Sequence, residues 1–247
     1  MIVLGPPLAA HGPNKTVVVV FTLLAGGALW LVWSDLHRDG PDKADGPFDA
    51  AIHLAFAVPL AAAALWTSRL RVVLHPEGLC YSTLLGEKQV RWDDVQRFYY
   101  RATKRSVNFI PIGTYYWFRF VNPQGQKISF GSSIANPASL ATKLLELTHI
   151  PLVKRVATQF DSGADVDFGP IRLNRQSGVV VKKSWGRLKH IPWNEVHSYA
   201  IQRGHFYIWQ VGEKRTTGPA IAAVPNAFAL LRLLDLVFKS RNSSSPT

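Results

Sequence analysis

The sequence predicts two transmembrane helices plus a mainly-β soluble part, built as two tandem small β-barrels that are each closed by a C-terminal α-helix. Three observations predict it. Two stretches of 19 residues, Thr16–Ser34 and Ala50–Ser68, carry no charged side chain, and about 20 apolar residues cross a bilayer core. The later part says one thing twice: Leu74-His-Pro-Glu-Gly78, a polar turn and Val90-Arg-Trp92-Asp-Asp-Val95 return as Leu173-Asn-Arg-Gln-Ser-Gly178, a polar turn and Ile191-Pro-Trp193-Asn-Glu-Val196. Each copy continues as short alternating runs broken by Gly, Pro and Asn, and each ends in an apolar helical stripe. A period near 100 residues is too long for a solenoid and fits two copies of one small domain.

Residues 1–15 are an N-terminal lead. The helical hairpin follows, with spans 16–34 and 50–68. Trp30, Trp33 and Trp66 lie at the ends of the stretches, where interfacial aromatics belong. Pro59 in the second stretch is tolerated where neighbours satisfy the freed carbonyl. Gly26-Gly27 reads as a close-packing site against the Ala-rich second span. His53 stands within a turn of Asp49 and reads as a neutral interfacial histidine. A cleaved signal peptide would start nearer the N-terminus and end in small residues, whereas this run closes on Leu-Trp-Leu-Val-Trp33. The connection 35–49 holds five Asp against Arg38 and Lys43, with Lys15, Arg69 and Arg71 flanking the spans. The positive-inside rule then places both termini and the β domains in the cytoplasm.

The first β domain covers 69–149. Residues 69–75 alternate as a strand, Pro76-Glu-Gly78 turns it, and Leu79–Leu85 and Lys88–Trp92 follow. After Val95–Arg101 the stretch Ala102–Ile112 reads as a long basic and apolar loop, then Gly113–Val121 as an aromatic strand. Asn122-Pro-Gln-Gly125 is a hairpin turn. Pro137 opens a helix with a leucine stripe. A connector, 150–165, leads to the second domain, 166–239. Its strands are Val166–Leu173, Gly178–Lys183, Arg187–Ile191, Val196–Arg203, His205–Val211 and Thr216–Val224, and its helix is Ala227–Lys239. The tail 240–247 is polar and read as disordered. Trp92 and Trp193 close equivalent strands and read as core anchors. Gly78, Gly178, Pro225 and Asn226 complete the repeated structural positions.

Strands with a Gly turn, a strand closing on Trp-acid/amide-acid-Val, and one C-terminal helix resemble bacterial pleckstrin-homology-like domains. Two membrane spans followed by such domains is a familiar arrangement in that group. The second copy, with Phe168-Gly-Pro-Ile171, Trp193-Asn-Glu-Val196, Gly204 and Pro225-Asn226, carries the resemblance more fully. The resemblance covers about residues 69–148 and 166–239. It implies a binding domain for lipid, peptide or protein, since this fold serves all three.

Charge divides unevenly. The chain has a net charge of +12; residues 1–66 carry 3 Lys/Arg and 5 Asp/Glu, and residues 67–247 carry 25 against 11. A basic domain beside a membrane meets the anionic inner leaflet. Nucleic acid is the competing polyanion, but the anchor makes lipid the nearer one, so no nucleic-acid partner is expected. Arg101, Lys104 and Arg105, with Phe109 and Ile110, form the first candidate surface, basic groups for phosphates and apolar ones for the interface. Lys182, Lys183, Arg187 and Lys189 form a second. The aromatic strand Tyr115–Phe120 has no polar face, so its second side is expected to meet a domain, the membrane or a partner.

Chemistry is not expected. The single Cys80 allows no internal disulfide and no thiolate cluster. His190, His197 and His205 fall in separate strands without metal-ligand spacing. No nucleophile elbow or phosphate loop frames a reaction, so neither a catalytic residue nor a cofactor is assigned. The reading is a non-enzymatic, multi-pass protein of a bacterial inner membrane that binds anionic lipid headgroups or a membrane protein. The alternatives are an accessory subunit held in a larger complex by its spans, and a lipid-modifying enzyme.

Overall fold

The computed structural model describes residues 4–37, 46–107, 110–182, 186–212 and 216–243. The chain divides into two compact units, Met1–Arg91 with Phe130–Leu140, and Trp92–Ser129 with Ala141–Thr247.

The first unit holds the apolar helices, and they interrupt a β-sheet. Ala9–His11 form β1, inside the lead where the sequence marks no element. Helices α1 (Lys15–Leu36) and α2 (Gly46–Ser68) follow, then β2 (Arg71–His75), β3 (Gly78–Thr83) and β4 (Gly86–Arg91). The sheet runs β1-β2-β3-β4, with Ala9 opposite Leu74 and His11 opposite Val72. Only Gly12–Asn14 and Arg69–Leu70 join strands to helices. Asn14 caps α1, its Oδ1 accepting from Thr16 N–H at 3.1 Å. The Asn14 N–H also donates to Ser133 O at 2.8 Å, which fixes the helix start to the 132–135 turn.

Both helices are long and apolar enough to cross a membrane. Their large side chains are mostly exposed, Leu23 by 70% and Trp30 by 63%, and an apolar surface without a polar face is what a water-facing helix avoids. They pack on each other, burying Ala25, Ala50 and Ala57. The Gly26-Gly27 reading is corrected: a Cβ on either would meet nothing within 4 Å, so the small residues at the contact are alanines. His53 Nδ1 lies 2.7 Å from Asp35 Oδ2, so its acidic partner is at the end of α1 and not its own-helix neighbour Asp49.

The second unit holds β5 (Arg97–Val107), β6 (Ile110–Val121) and the start of β7 (Lys127–Gly131), in sheet order β5-β6-β7. Helix α3 (Pro137–Asp161) does not stop at 149. Leu144, Thr148, Leu152, Val156 and Phe160 recur every fourth residue and all are buried, so packing carries the helix past Pro151 and through most of the expected connector. The next sheet holds β8 (Val166–Asp167), β9 (Ile171–Asn174), β10 (Gly178–Lys182) and β11 (Leu188–Ile191); β12 (Val196–Gln202), β13 (His205–Gln210) and β14 (Thr216–Ala220) form another. The single strand expected over 166–173 is two, because Gly169 sits at φ +71 with its N–H bonded to Asp167 Oδ1 at 2.8 Å. Helix α4 (Ala227–Ser243) takes in Ser240–Ser243, which the sequence assigns to the tail.

Each copy therefore supplies a four-stranded and a three-stranded sheet, and among the described residues no sheet closes into the expected barrel. The break has one cause in both: Trp92–Asp94 and Trp193–Glu195 coil into 3-10 turns, which take the chain out of one ladder before the next begins. The two Trp differ. Trp92 is 4% exposed and lies 6.2 Å from the Phe120 ring. Trp193 is only half-buried; its Nε1 donates to Asn174 O at 2.8 Å and its ring meets Phe160 edge-on. Trp92→Ala is therefore expected to cost about 3–5 kcal/mol as a core truncation. Trp193→Ala is expected to cost about half of that, since it loses partial burial and one hydrogen bond. Chemical unfolding of the two variants checks the order; equal losses would reject it.

Candidate functional site

Where a loop is expected over 102–112, residues 102–107 and 110–112 are strand. β5 and β6 pair from Arg97↔Val121 to Val107↔Ile110, with an irregularity between Arg105 and Ser106. Gly113, opposite Arg105, sits at φ +132, which favours glycine and lets the ladder bend there. Charged residues had masked an alternation of period two. Strand geometry puts alternate residues on opposite faces. One face carries Phe98, Phe118 and Phe120, all buried, and then Tyr100, Ala102, Lys104, Tyr116 and Thr114.

The other face carries Arg97, Tyr99, Arg101, Thr103 and Arg105 of β5, opposite Arg119, Trp117 and Tyr115 of β6. Guanidinium groups and aromatic rings interleave across it. Arg105 stands 4.5 Å from the Tyr115 ring centre, and Arg119 4.6 Å from that of Trp117, at cation–π distance. Arg119 Nε also donates to Ser129 Oγ at 3.2 Å, and Arg101 Nε to Thr103 Oγ1 at 3.1 Å. Arg97 pairs with Asp167 at 3.0 Å. The stacks hold the side chains along the sheet and leave most guanidinium N–H groups for a ligand.

A groove of about 600 Å³ runs along the β5 edge. Tyr100, Ala102, Leu145, Ile221 and Phe228 wall it, and Arg101, Lys104 and Arg203 stand at its rim. Burial, and then the neighbouring Tyr116, push the Tyr100 phenol up, so it stays a neutral donor. Arg203 occupies φ +49 in a two-residue turn with Gly204 at φ +75, between Gln202 and His205, the turn type that matches strand twist. A second hollow of about 470 Å³ has Tyr115 and Trp117 in its wall and shares Arg101 with the first.

Phe98, which lines the groove, is held by Asn226. This buried residue sits at φ +53. Its N–H donates to Phe98 O at 2.7 Å and its Oδ1 accepts from Phe98 N–H at 2.8 Å, while Nδ2 donates to Gln96 O at 2.9 Å. Pro225 before it is buried and would lie 3.2 Å from a Cβ placed on Gly169. The equivalent Asn136 of the first copy also adopts positive φ, 51°.

The structure brings together Arg101, Lys104 and Arg105, although Lys104 is on the opposite face from the two arginines and reaches the groove. Ile110 opens β6; Phe109 and Lys183 lie outside the described residues. Lys182, Arg187 and Lys189 belong to the β10–β11 hairpin, on a different sheet. Arg97, Tyr99, Trp117, Arg119 and Arg203 are additions. The first four were legible as a period-two alternation once 102–112 is read as strand. Arg203 required the fold. A family model matches residues 2–243. The chain belongs to that family, a family of unknown function (DUF6585). No curated protein matches it.

Elsewhere in this DUF6585 chain, Cys80 donates to the Glu87 carboxylate, and burial first and then that bond push its thiol up to about 11. It is a protonated core thiol, not a nucleophile. His190, His197 and His205 stand on β11, β12 and β13, and among the described residues no three His, Cys, Asp or Glu gather as a metal site.

Proposed function

We propose that this chain is a non-enzymatic, two-span protein of a bacterial inner membrane whose pleckstrin-homology-like domains lie on the cytoplasmic side and bind anionic lipid headgroups. The observation that carries the reading is the cationic and aromatic face of β5–β6. Arg101, Arg105 and Arg119 match phosphate geometry through their guanidinium forks, and Tyr99, Tyr115 and Trp117 are side chains with an apolar body and a polar tip, suited to a headgroup layer. The apolar, largely uncovered α1 and α2 support membrane crossing. Two successive sets of four and three strands with a C-terminal helix support the pleckstrin-homology-like reading. The excess of Lys and Arg after residue 66 supports a cytoplasmic location.

The test uses the full chain in phosphatidylcholine nanodiscs and sucrose-loaded vesicles presented from outside. Vesicles containing phosphatidylglycerol should sediment the nanodiscs at low salt and release them at high salt, while phosphatidylcholine vesicles should not. Each basic side chain near such a surface contributes about 1 kcal/mol, so replacing Arg101 and Arg105 by Glu should weaken binding more than about 30-fold. Binding that is unchanged in the double variant would remove the hairpin face from the site.

A further inference from the structure

We propose that the β5 edge is a strand acceptor: an extended acidic peptide of a partner protein lies in the groove and pairs with the backbone of Tyr100, Ala102 and Lys104. This goes beyond lipid recognition and does not depend on it, because the pairing uses the backbone at the edge of the strand, and of the arginines on the other face only Arg101 reaches the groove.

β5 is the outer strand of its sheet. In an antiparallel ladder, every second residue of an edge strand turns its N–H and C=O away from the neighbouring strand. Phe98 shows the parity, since both of its groups point outward to Asn226. The ladder keeps register up to Arg105, so Tyr100, Ala102 and Lys104 point their backbone groups the same way. Asn226 takes up the first of this row. Among the described residues no strand takes up the rest.

The groove lies along those residues. It is wide because Ala102, Gly204, Ala220 and Ala222 carry little or no side chain there. At about 3.4 Å per residue, Tyr100 to Lys104 offers ~14 Å, room for a strand of four or five residues. A lipid tail would fill the apolar volume but would leave the row of donors and acceptors unmatched; a peptide backbone matches it, which is the logic of strand addition. The charge sets the composition. Arg101, Lys104 and Arg203 stand at the rim, and no acid lines the groove. Holding an arginine at positive φ costs more than Gly or Asn would, and here it brings a third cation to the opening.

The full chain in phosphatidylcholine nanodiscs would be used to select from a phage-displayed random nonapeptide library. Selected peptides should carry Asp or Glu among alternating apolar residues. A synthetic copy of the strongest should bind wild type at least 10-fold tighter than Ala102→Pro and Arg203→Glu. Pro at 102 removes an N–H that β6 does not use, so the sheet should keep its unfolding midpoint. Independently of any protein variant, N-methylation of the peptide should abolish binding at alternate positions only. No selection above background, enrichment of basic peptides, equal affinity for Ala102→Pro, or insensitivity to N-methylation would each overturn the proposal.

Discussion

Asn226→Ala should destabilise the second unit by about 3–5 kcal/mol, one of the largest single-residue losses in the chain. Its side chain makes two hydrogen bonds: the one from Nδ2 to Gln96 O is worth about 1 kcal/mol net, and loss of the other leaves the buried Phe98 N–H without an acceptor at about 1–3 kcal/mol, while the backbone bond to Phe98 O is kept. Alanine at φ +53 adds about 1 kcal/mol more. Asn226→Gly separates the causes: it removes the backbone strain and keeps the loss of the amide, so it should fall about 1 kcal/mol short of the alanine variant. Urea unfolding in detergent or nanodiscs gives both values. A loss below 1 kcal/mol for Ala would mean the clamp is not closed in solution. The consequence reaches past one residue. Asn226 belongs to the second copy of the repeat and Phe98 to the first, yet both lie in one compact unit. The β5–β6 hairpin should therefore melt with the second copy in a single transition, and weakening the clamp should loosen the groove as well as the fold.

That coupling explains what the sequence could and could not reveal. Gly78 and Gly178 were legible as repeated positions, and the structure gives their reason: a Cβ on either would stand 2.2 Å from a carbonyl of the opposite strand, Val90 O or Ile191 O. Such constraints are local and leave a residue-type signature. Strand β1 leaves none. Ala9–His11 is too short to show a period, and its partner β2 begins only after both apolar helices. Viewed from the second copy, β8 and β9 are joined through Phe168-Gly-Pro170, and the helical pair occupies the same connection in the first copy. The longer α3 was hidden by Pro151, whose missing N–H usually ends a helix, and revealed by a buried stripe that only packing defines. The hairpin face was hidden because 102–112 read as a basic and apolar loop holding Arg105, so the strands carrying Arg97, Arg101 and Arg119 were not read as paired with each other. The meaning of these arginines depends on register, which places Tyr99, Trp117 and Tyr115 among them.

Removing the two helices while keeping β1 should leave a folded, water-soluble protein, and removing β1 as well should not. In the first variant Asn14 is joined directly to Arg69. His11 and Val72 are paired, so residues 12–14 and 69–71 form a hairpin loop of ordinary length. In the second the chain starts at Arg69. It loses the β1–β2 ladder, the Leu8 N–H to Leu74 O bond of 2.8 Å, and the His75 Nδ1 contact with Gly5 O at 2.9 Å. It also loses Leu4, which is buried at Gly78. Four or so hydrogen bonds at about 1 kcal/mol each, with about 2 kcal/mol for one buried leucine, come to ~6 kcal/mol. That is as large as the whole stability of many domains. Thermal melts with circular dichroism and limited proteolysis distinguish the two variants; similar midpoints would show that β1 does not complete the sheet. The expected difference bears on function, because β1 and β2 run into α1 and α2 through three and two residues. Helices that cross a bilayer would then hold this sheet at the membrane surface by both strands. A single flexible tether would let the domain wander, whereas two short ones leave little freedom of orientation, so the sheet would face the headgroups in one fixed way.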